Sequence, residues 1–290
     1  MNIGGVMFAM ISQKVSSPVM RYHGAKFRLA PWVMSFFPDH HTYVEPFGGA
    51  AGVLLQKPRS LSEVYNDLDG EIVNVFRVLQ SQEASEELCR LLEVTPYARA
   101  EFELSYLPSD NSIEQARRTL LRAHQGFGSA GATKGRTGFR IDSARKYGTA
   151  AHIWARYPQC IASFAERLQG VVIENKQAVD VISNHDRPDT LFFIDPPYVH
   201  STRKMRPGGY YNHEMTDNDH IKLLEQLNGV AGLVVLSGYD SDLYNDVLTG
   251  WIKYATSARI SAGRGTATRT EVVWLNPSCS DRQAQKNLFA

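Results

Sequence analysis

Two segments of this chain are apolar without a break, Leu191-Phe192-Phe193-Ile194 and Leu233-Val234-Val235-Leu236. Short apolar runs bounded by polar turns suit central parallel strands that are covered on both faces. Seven segments in all read as strands: Thr42–Phe47, Ser62–Asp67, Val171–Asn175, Thr190–Asp195, Gly232–Ser237, Trp251–Thr256 and Thr270–Asn276. Between them the apolar spacing becomes helical. Ile72, Phe76 and Leu79 fall at i, i+4 and i+7 behind Asp67. Thr216 precedes Asp217-Asn218-Asp219 and then Ile221, Leu223, Leu224 and Leu227, an N-cap with acid in the first turn. Strand–helix alternation of this kind predicts a doubly wound α/β sheet.

The alternation stops between Val78 and Gln159. Ser112 with Gln115 resembles a capping box before Ala116, Leu120 and Leu121. A glycine-rich basic stretch follows, in which Gly126, Gly128, Gly131, Gly135 and Gly138 interleave with Phe127, Lys134, Arg136, Phe139 and Arg140. We read residues 78–158 as a mainly helical insertion in a sheet domain built from 1–77 and 159–277, with 278–290 a polar tail. The last two strands read as an antiparallel edge hairpin.

Composition narrows the class. Of the 290 residues, 43% are hydrophobic and 21% charged, as in soluble globular proteins, and no apolar run reaches membrane-spanning length. Met1–Ile11 lacks the early basic region and A-x-A-like site of a signal peptide. Three cysteines lie far apart with no C-x-x-C, which excludes a disulfide framework or a cysteine zinc site and suits a reducing cytoplasm. His40-His41 has no matching carboxylate spacing, so no metal is expected. Nothing in the pattern demands a dimer, and a monomer is the default. Charge is uneven although the net is only +1: Ser60–Gln115 holds twelve acidic residues against three arginines, whereas Gln115–Arg156 holds nine basic residues against Asp142. A local basic block is the usual footprint of phosphate contact.

Two turns carry candidate chemistry. In Glu45-Pro46-Phe47-Gly48-Gly49 a strand runs into small residues that let the backbone approach a nucleotide. About twenty residues on, the next strand ends at Asp67, placed to accept hydrogen bonds from ribose hydroxyls. This pattern alone does not separate a nicotinamide cofactor from S-adenosylmethionine. The second turn is Asp195-Pro196-Pro197-Tyr198, directly after Leu191–Ile194. A carboxylate there sits where α/β sheets bind ligands, and consecutive prolines stiffen the turn. An exocyclic amine on a purine is a poor nucleophile because its lone pair is delocalised. The Asp195 carboxylate and the Pro196 carbonyl can take its two N–H bonds and localise that pair toward an electrophilic methyl. Tyr198 can stack on the base.

With these residues the chain resembles the DNA adenine methyltransferases of the Dam type, from about Pro18 to Pro277. That resemblance implies a Rossmann-like methyltransferase fold with a mostly parallel seven-stranded sheet, S-adenosylmethionine as cofactor and double-stranded DNA as partner. Met20-Arg21-Tyr22-His23-Gly24-Ala25-Lys26 looks like the family's aromatic-x-Gly-x-Lys segment, implying that Tyr22 packs on the cofactor and Lys26 reaches its polar end. Glu45–Gly49 looks like its methionine-binding turn, Asp67 its ribose-binding acid, Asp195–Tyr198 its catalytic tetrapeptide. Arg269-Thr270-Glu271-Val272-Val273 is similar to its final strand. The 78–158 insertion falls where the family carries target recognition. Ala51 departs from the family's second glycine, with Gly52 following. For DNA contact the expected residues are Arg122, Lys134, Arg136 and Arg140 in the insertion, and Arg203, Lys204 and Arg206 after the tetrapeptide. Methylation of cytosine amines or RNA adenine, and a non-catalytic DNA-binding module, are the alternative readings.

Overall fold

The computed structural model describes residues 15–133, 135–141, 148–203, 209–262 and 265–288. Among them are seven strands: β1 (Thr42–Glu45), β2 (Ser62–Asn66), β3 (Val171–Glu174), β4 (Thr190–Ile194), β5 (Leu233–Gly238), β6 (Ile252–Ala262) and β7 (Gly265–Leu275). The described helices are α1 (Ala30–Met34), α2 (Gly70–Gln80), α3 (Gln82–Val94), α4 (Arg99–Leu104), α5 (Ser112–Gln125), α6 (Ala150–Arg156), α7 (Ile161–Leu168), α8 (Ala178–His185), α9 (Asp217–Asn228), α10 (Asp242–Val247) and α11 (Pro277–Leu288).

All seven strands lie where the pattern places them and form one sheet, ordered β3-β2-β1-β4-β5-β7-β6. The first five run parallel, while β7 is antiparallel to both β5 and β6. The closing hairpin is longer than expected, and only its β6 arm is an edge.

Alternation along the strands splits the core in two. Tyr43, Tyr65, Leu191, Phe193 and Val235 face one apolar cluster, in which Ile72, Phe76 and Leu79 of α2 and Phe164 of α7 pack. Val44, Val64, Phe192, Ile194, Val234 and Leu236 face the other, against Val181 and Ile182 of α8, Leu223, Leu224 and Leu227 of α9 and Tyr244 of α10. The insertion does not stand apart. Leu88 and Leu92 of α3, Leu120 and Leu121 of α5 and Trp154 of α6 join the first cluster. Its glycine-rich loop is tied at its ends, with Phe127 N–H donating to the Gly138 carbonyl at 2.7 Å and Arg140 N–H to the Gln125 carbonyl at 2.8 Å. A Cβ on Gly131 would collide with the Arg122 carbonyl, so this fold-back onto the end of α5 requires glycine.

Two local expectations are corrected. The cap of α5 is Asn111 rather than Ser112, because the Asn111 carboxamide oxygen accepts from both Ile113 and Glu114 N–H. Gln115 instead accepts from Ser109 N–H at 2.9 Å. The residues after Pro277 are helix α11 rather than a tail. Pro277 opens it, Asn276 accepts from Cys279 N–H at 3.0 Å, and Cys279 is fully buried.

Asn66, fully buried at the end of β2, donates to the Pro46 and Lys176 carbonyls at 2.8 and 3.0 Å and accepts from Lys176 N–H at 2.8 Å. It thereby fastens the turn after β1 to the turn after β3. Asn66→Ala leaves those backbone groups without their partner, and a loss of about 3 kcal/mol is expected in urea unfolding.

Candidate active site

Chain direction creates the crevice. From β1 the chain proceeds outward to β2 and β3, then returns to lay β4 on the other side of β1. Ligands bind outside the carboxyl ends of strands at such a reversal. The turns leaving β1 and β4 border one cavity of about 2090 Å³. Every residue expected to hold cofactor or carry chemistry lines it: Tyr22, Lys26, Glu45, Pro46, Phe47, Gly48, Gly49, Asp67, Asp195, Pro196, Pro197 and Tyr198. From the insertion, His124, Gly128 and Arg140 reach the same walls.

Asp195 follows the last residue of β4, with its side chain 16% exposed. Lys26 Nζ lies 2.9 Å from both carboxylate oxygens, donates to Oδ2, and also donates to the Gly24 carbonyl at 2.9 Å. Asp195 Oδ1 is buried, with the Lys26 ammonium as its ion-pair partner. The Lys26 ammonium lies 4.8 Å from the centre of the Tyr198 ring. Thus Lys26 is engaged on Asp195, the acid that opens the turn after β4. The Tyr198 hydroxyl donates to Glu271 Oε2 at 2.7 Å.

The turn after β1 is backed by its own network. Gly49 N–H donates to Asp67 Oδ2 at 2.8 Å, and Asp69 N–H to Asp67 Oδ1 at 2.8 Å, leaving further lone pairs on each oxygen. Gly49 adopts φ +48°, and a Cβ there would press on the Tyr22 ring, so the bare backbone lets the two approach. Ala51 also has positive φ, +52°, the conformation that glycine adopts without strain. Glu45 is turned inward: Oε1 accepts from the Tyr43 hydroxyl and Leu54 N–H, both at 2.6 Å. It braces the turn from behind.

Residues 22–260 match the family model described as D12 class N6 adenine-specific DNA methyltransferase. The chain belongs to this family. It is an adenine-specific DNA methyltransferase. Among solved structures it is similar to a putative rRNA methylase from Clostridium thermocellum (9% identity, 87% of this chain and 96% of that one, TM-score 0.36). It is also similar to an rRNA methylase from Streptococcus thermophilus (9%, 86% and 93%, TM-score 0.34). A third is a precorrin 8W decarboxylase from Methanobacterium thermoautotrophicum (8%, 86% and 88%, TM-score 0.35). Likenesses this slight carry no functional argument. No curated protein matches the chain.

The basic residues of the methyltransferase divide sharply. Arg122 is 8% exposed, donates to the Ser105 carbonyl at 2.7 Å and pairs with Glu71, so its charge is spent inside the protein. Arg203, its side chain 5% exposed, is bound by Glu214 at 2.6 Å. Both guanidinia are thus engaged by carboxylates of the chain itself. Arg140 is mostly buried on the cavity wall. Arg136 is exposed, its guanidinium 5.1 Å from the Tyr106 ring centre. Lys134, Lys204 and Arg206 lie outside the described residues.

Sequence reasoning missed what the loop before α9 does. His23 stacks on Tyr210 with ring centres 4.2 Å apart, Tyr211 donates to the His23 carbonyl at 3.2 Å, and Asn212 donates to Asp69 at 2.7 Å. Glu214 organises this strap, accepting from Arg203 and from Tyr210 and Tyr211 N–H. Burial opposes the Glu214 charge, yet those donors hold its pKa down to about 2. The only sequence signal was the aromatic pair itself.

Burial pushes the Glu45 carboxyl up to about 7, against the hydrogen bonds from Tyr43 and Leu54, and pushes Asp67 up to about 6. Both acids are easier to ionise in the unfolded chain, so the stability they favour is full at low pH and is lost as pH rises through these values. Urea midpoints are therefore expected to fall between about pH 4 and pH 7 and to level off above that. Glu45→Gln, which cannot ionise, should flatten the upper part of that decline.

Proposed function

We propose that this methyltransferase moves a methyl group from S-adenosylmethionine to the 6-amino group of an adenine extruded from double-stranded DNA. The observation that carries the reading is the Asp195 carboxylate, mostly buried, ion-paired with Lys26 and set on a proline-stiffened turn that borders the cavity at the sheet reversal. A cavity of about 2090 Å³ supports it. Small-molecule sites usually fall between about 300 and 1,000 Å³, so there is room for a cofactor and a nucleotide together.

The residues present fit a sulfonium nucleoside. Asp67 keeps lone pairs for ribose hydroxyls, Tyr22 offers an aromatic wall, and Pro46–Gly49 a turn whose glycines leave the backbone bare. Glu45 holds that turn from within, and Lys26 stands at the junction of the cofactor and base subsites. When bound, the cofactor supplies a methyl electrophilic enough for direct attack by a neutral amine. Asp195 and the Pro196 carbonyl accept the two amino N–H bonds of the base, turning its lone pair out of conjugation. Tyr198 replaces the stacking that the base gives up on leaving the duplex. Positioning and fixed dipoles supply the rate, and no covalent enzyme intermediate is needed.

DNA binding is assigned to the rim formed by the glycine-rich loop. Exposed Arg136 and cavity-wall Arg140 belong to the sequence stretch that also carries Lys134, and Phe127 is 63% exposed beside the cavity-lining Gly128. An exposed aromatic on a cationic rim suits contact with bases and phosphates together.

Two outcomes are expected. Asp195→Ala lowers methyl transfer by about a thousandfold while DNA still binds, with tritium transfer and nucleoside mass analysis for N6-methyladenine as the measurement. Retained turnover removes the role assigned to Asp195. Neutralising Lys134, Arg136 and Arg140 together reduces the slope of log affinity against log salt by up to about three, whereas Arg122→Gln lowers folding stability and leaves that slope in place.

A further inference from the structure

The Tyr198 ring is held at both ends. Its backbone follows two prolines, and its hydroxyl donates to Glu271 Oε2 at 2.7 Å and stands 3.2 Å from Ser237 Oγ. Ser237 ends up there because β5 and β7 pair with Ser237 opposite Val273 and Gly238 opposite Val272, which brings Glu271 just past the end of β5. Glu271 is 6% exposed and Ser237 2%. Tyr239 meets Tyr198 edge-on, with ring centres 4.5 Å apart, and so blocks rotation on one side.

A carboxyl group buried this deeply on a strand is costly unless it is matched by a donor. Nothing about β7 as a strand calls for it, since Val272, Val273, Trp274 and Leu275 beyond it are apolar and buried. The hydrogen bond described for the Glu271 side chain goes to Tyr198. Where a phenol meets an acid in such a place, the bond is short and strong, and it sets the plane of the ring.

We propose that Glu271, with Ser237 as its second contact, is a positioning residue for methyl transfer, acting through Tyr198. The inference rests on the reading of Asp195–Tyr198 as the corner that holds the base. A base stacked on Tyr198 takes its tilt from that ring. A tilt of about 10° displaces an atom 6 Å away by about 1 Å, and a misplacement of that size costs about a hundredfold in rate. Glu271 therefore controls whether the amino group of the stacked base arrives at Asp195, without itself touching the base.

The test compares Glu271→Ala, Glu271→Gln, Ser237→Ala, Tyr198→Phe and the double variant Tyr198→Phe/Glu271→Ala in the full chain. The readouts are single-turnover methyl transfer at saturating DNA, equilibrium binding of S-adenosylmethionine, and fluorescence of a duplex with 2-aminopurine at the methylated position. That position is first read by sequencing modified bases. Glu271→Ala is expected to slow transfer about a hundredfold. It should also leave 2-aminopurine less quenched, with cofactor affinity within about twofold of wild type. Glu271→Gln recovers most of the rate, because an amide oxygen still accepts from the phenol, and Ser237→Ala loses about threefold. The double variant is no slower than the worse single one, as for residues acting on one contact. A glutamine variant as slow as the alanine one overturns the proposal, as does additive loss in the double variant. If Glu271→Ala does not fold, Glu271→Gln and Ser237→Ala decide alone: wild-type quenching and rate in Ser237→Ala together with a hundredfold loss in Glu271→Gln overturn it. Full turnover in Asp195→Ala, by contrast, removes the corner reading itself. An inactive Asp195→Ala beside an unaffected Glu271→Ala removes only the positioning role.

Discussion

Parallel pairing of β1 with β4, in the register Val44 opposite Phe192, sets everything else in place. Because the strand order reverses at this pair, the segments leaving it diverge and the strand ends stay uncovered. The turn Pro46–Gly49 and the turn Asp195–Tyr198 then lie side by side although about 150 residues separate them along the chain. Asn66 anchors the first turn from β2, and Glu271 anchors the second from β7. The site is rigid because each of its two corners is held by a neighbouring strand rather than by its own loop.

Acid dominates that crevice. Asp67, Asp195 and Glu271 line it with Glu45 behind, and Lys26 answers Asp195. Burial pushes the Asp195 pKa up while Lys26 pulls it down, and burial opposes the Lys26 charge while Asp195 and Glu271 support it, leaving Lys26 with a raised pKa. A site so endowed with negative groups in low dielectric favours a cation.

The basic block of the insertion carries a different lesson. Its arginines sit beside an acid-rich stretch in sequence, and on folding the two neutralise each other. Arg117 pairs with Glu101 and Glu114, Arg118 with Glu114, and Arg122 with Glu71. The Arg117–Glu101 and Arg122–Glu71 pairs fasten α5 to α4 and α2, while the Glu114 pairs lie within α5. The basic charge left unpaired is accordingly smaller than the charge count implies, and Arg136 is the exposed arginine of the glycine-rich loop.

Strand positions, the sheet class and the residues lining the site were all legible in the sequence. Continuous apolar runs have few folded solutions, and the motifs adjoin strand ends, so local order already placed them at the mouth of the sheet. The Thr216 cap was legible for the same reason, its chemistry being contained within four residues. Three things needed the tertiary structure: which arginines face solvent, how the strap from Tyr210 to Glu214 crosses to His23 and Asp69, and what holds the Tyr198 hydroxyl. Each depends on a partner tens to hundreds of residues away. A sequence records what a side chain is able to donate or accept, but only packing decides which partner it meets.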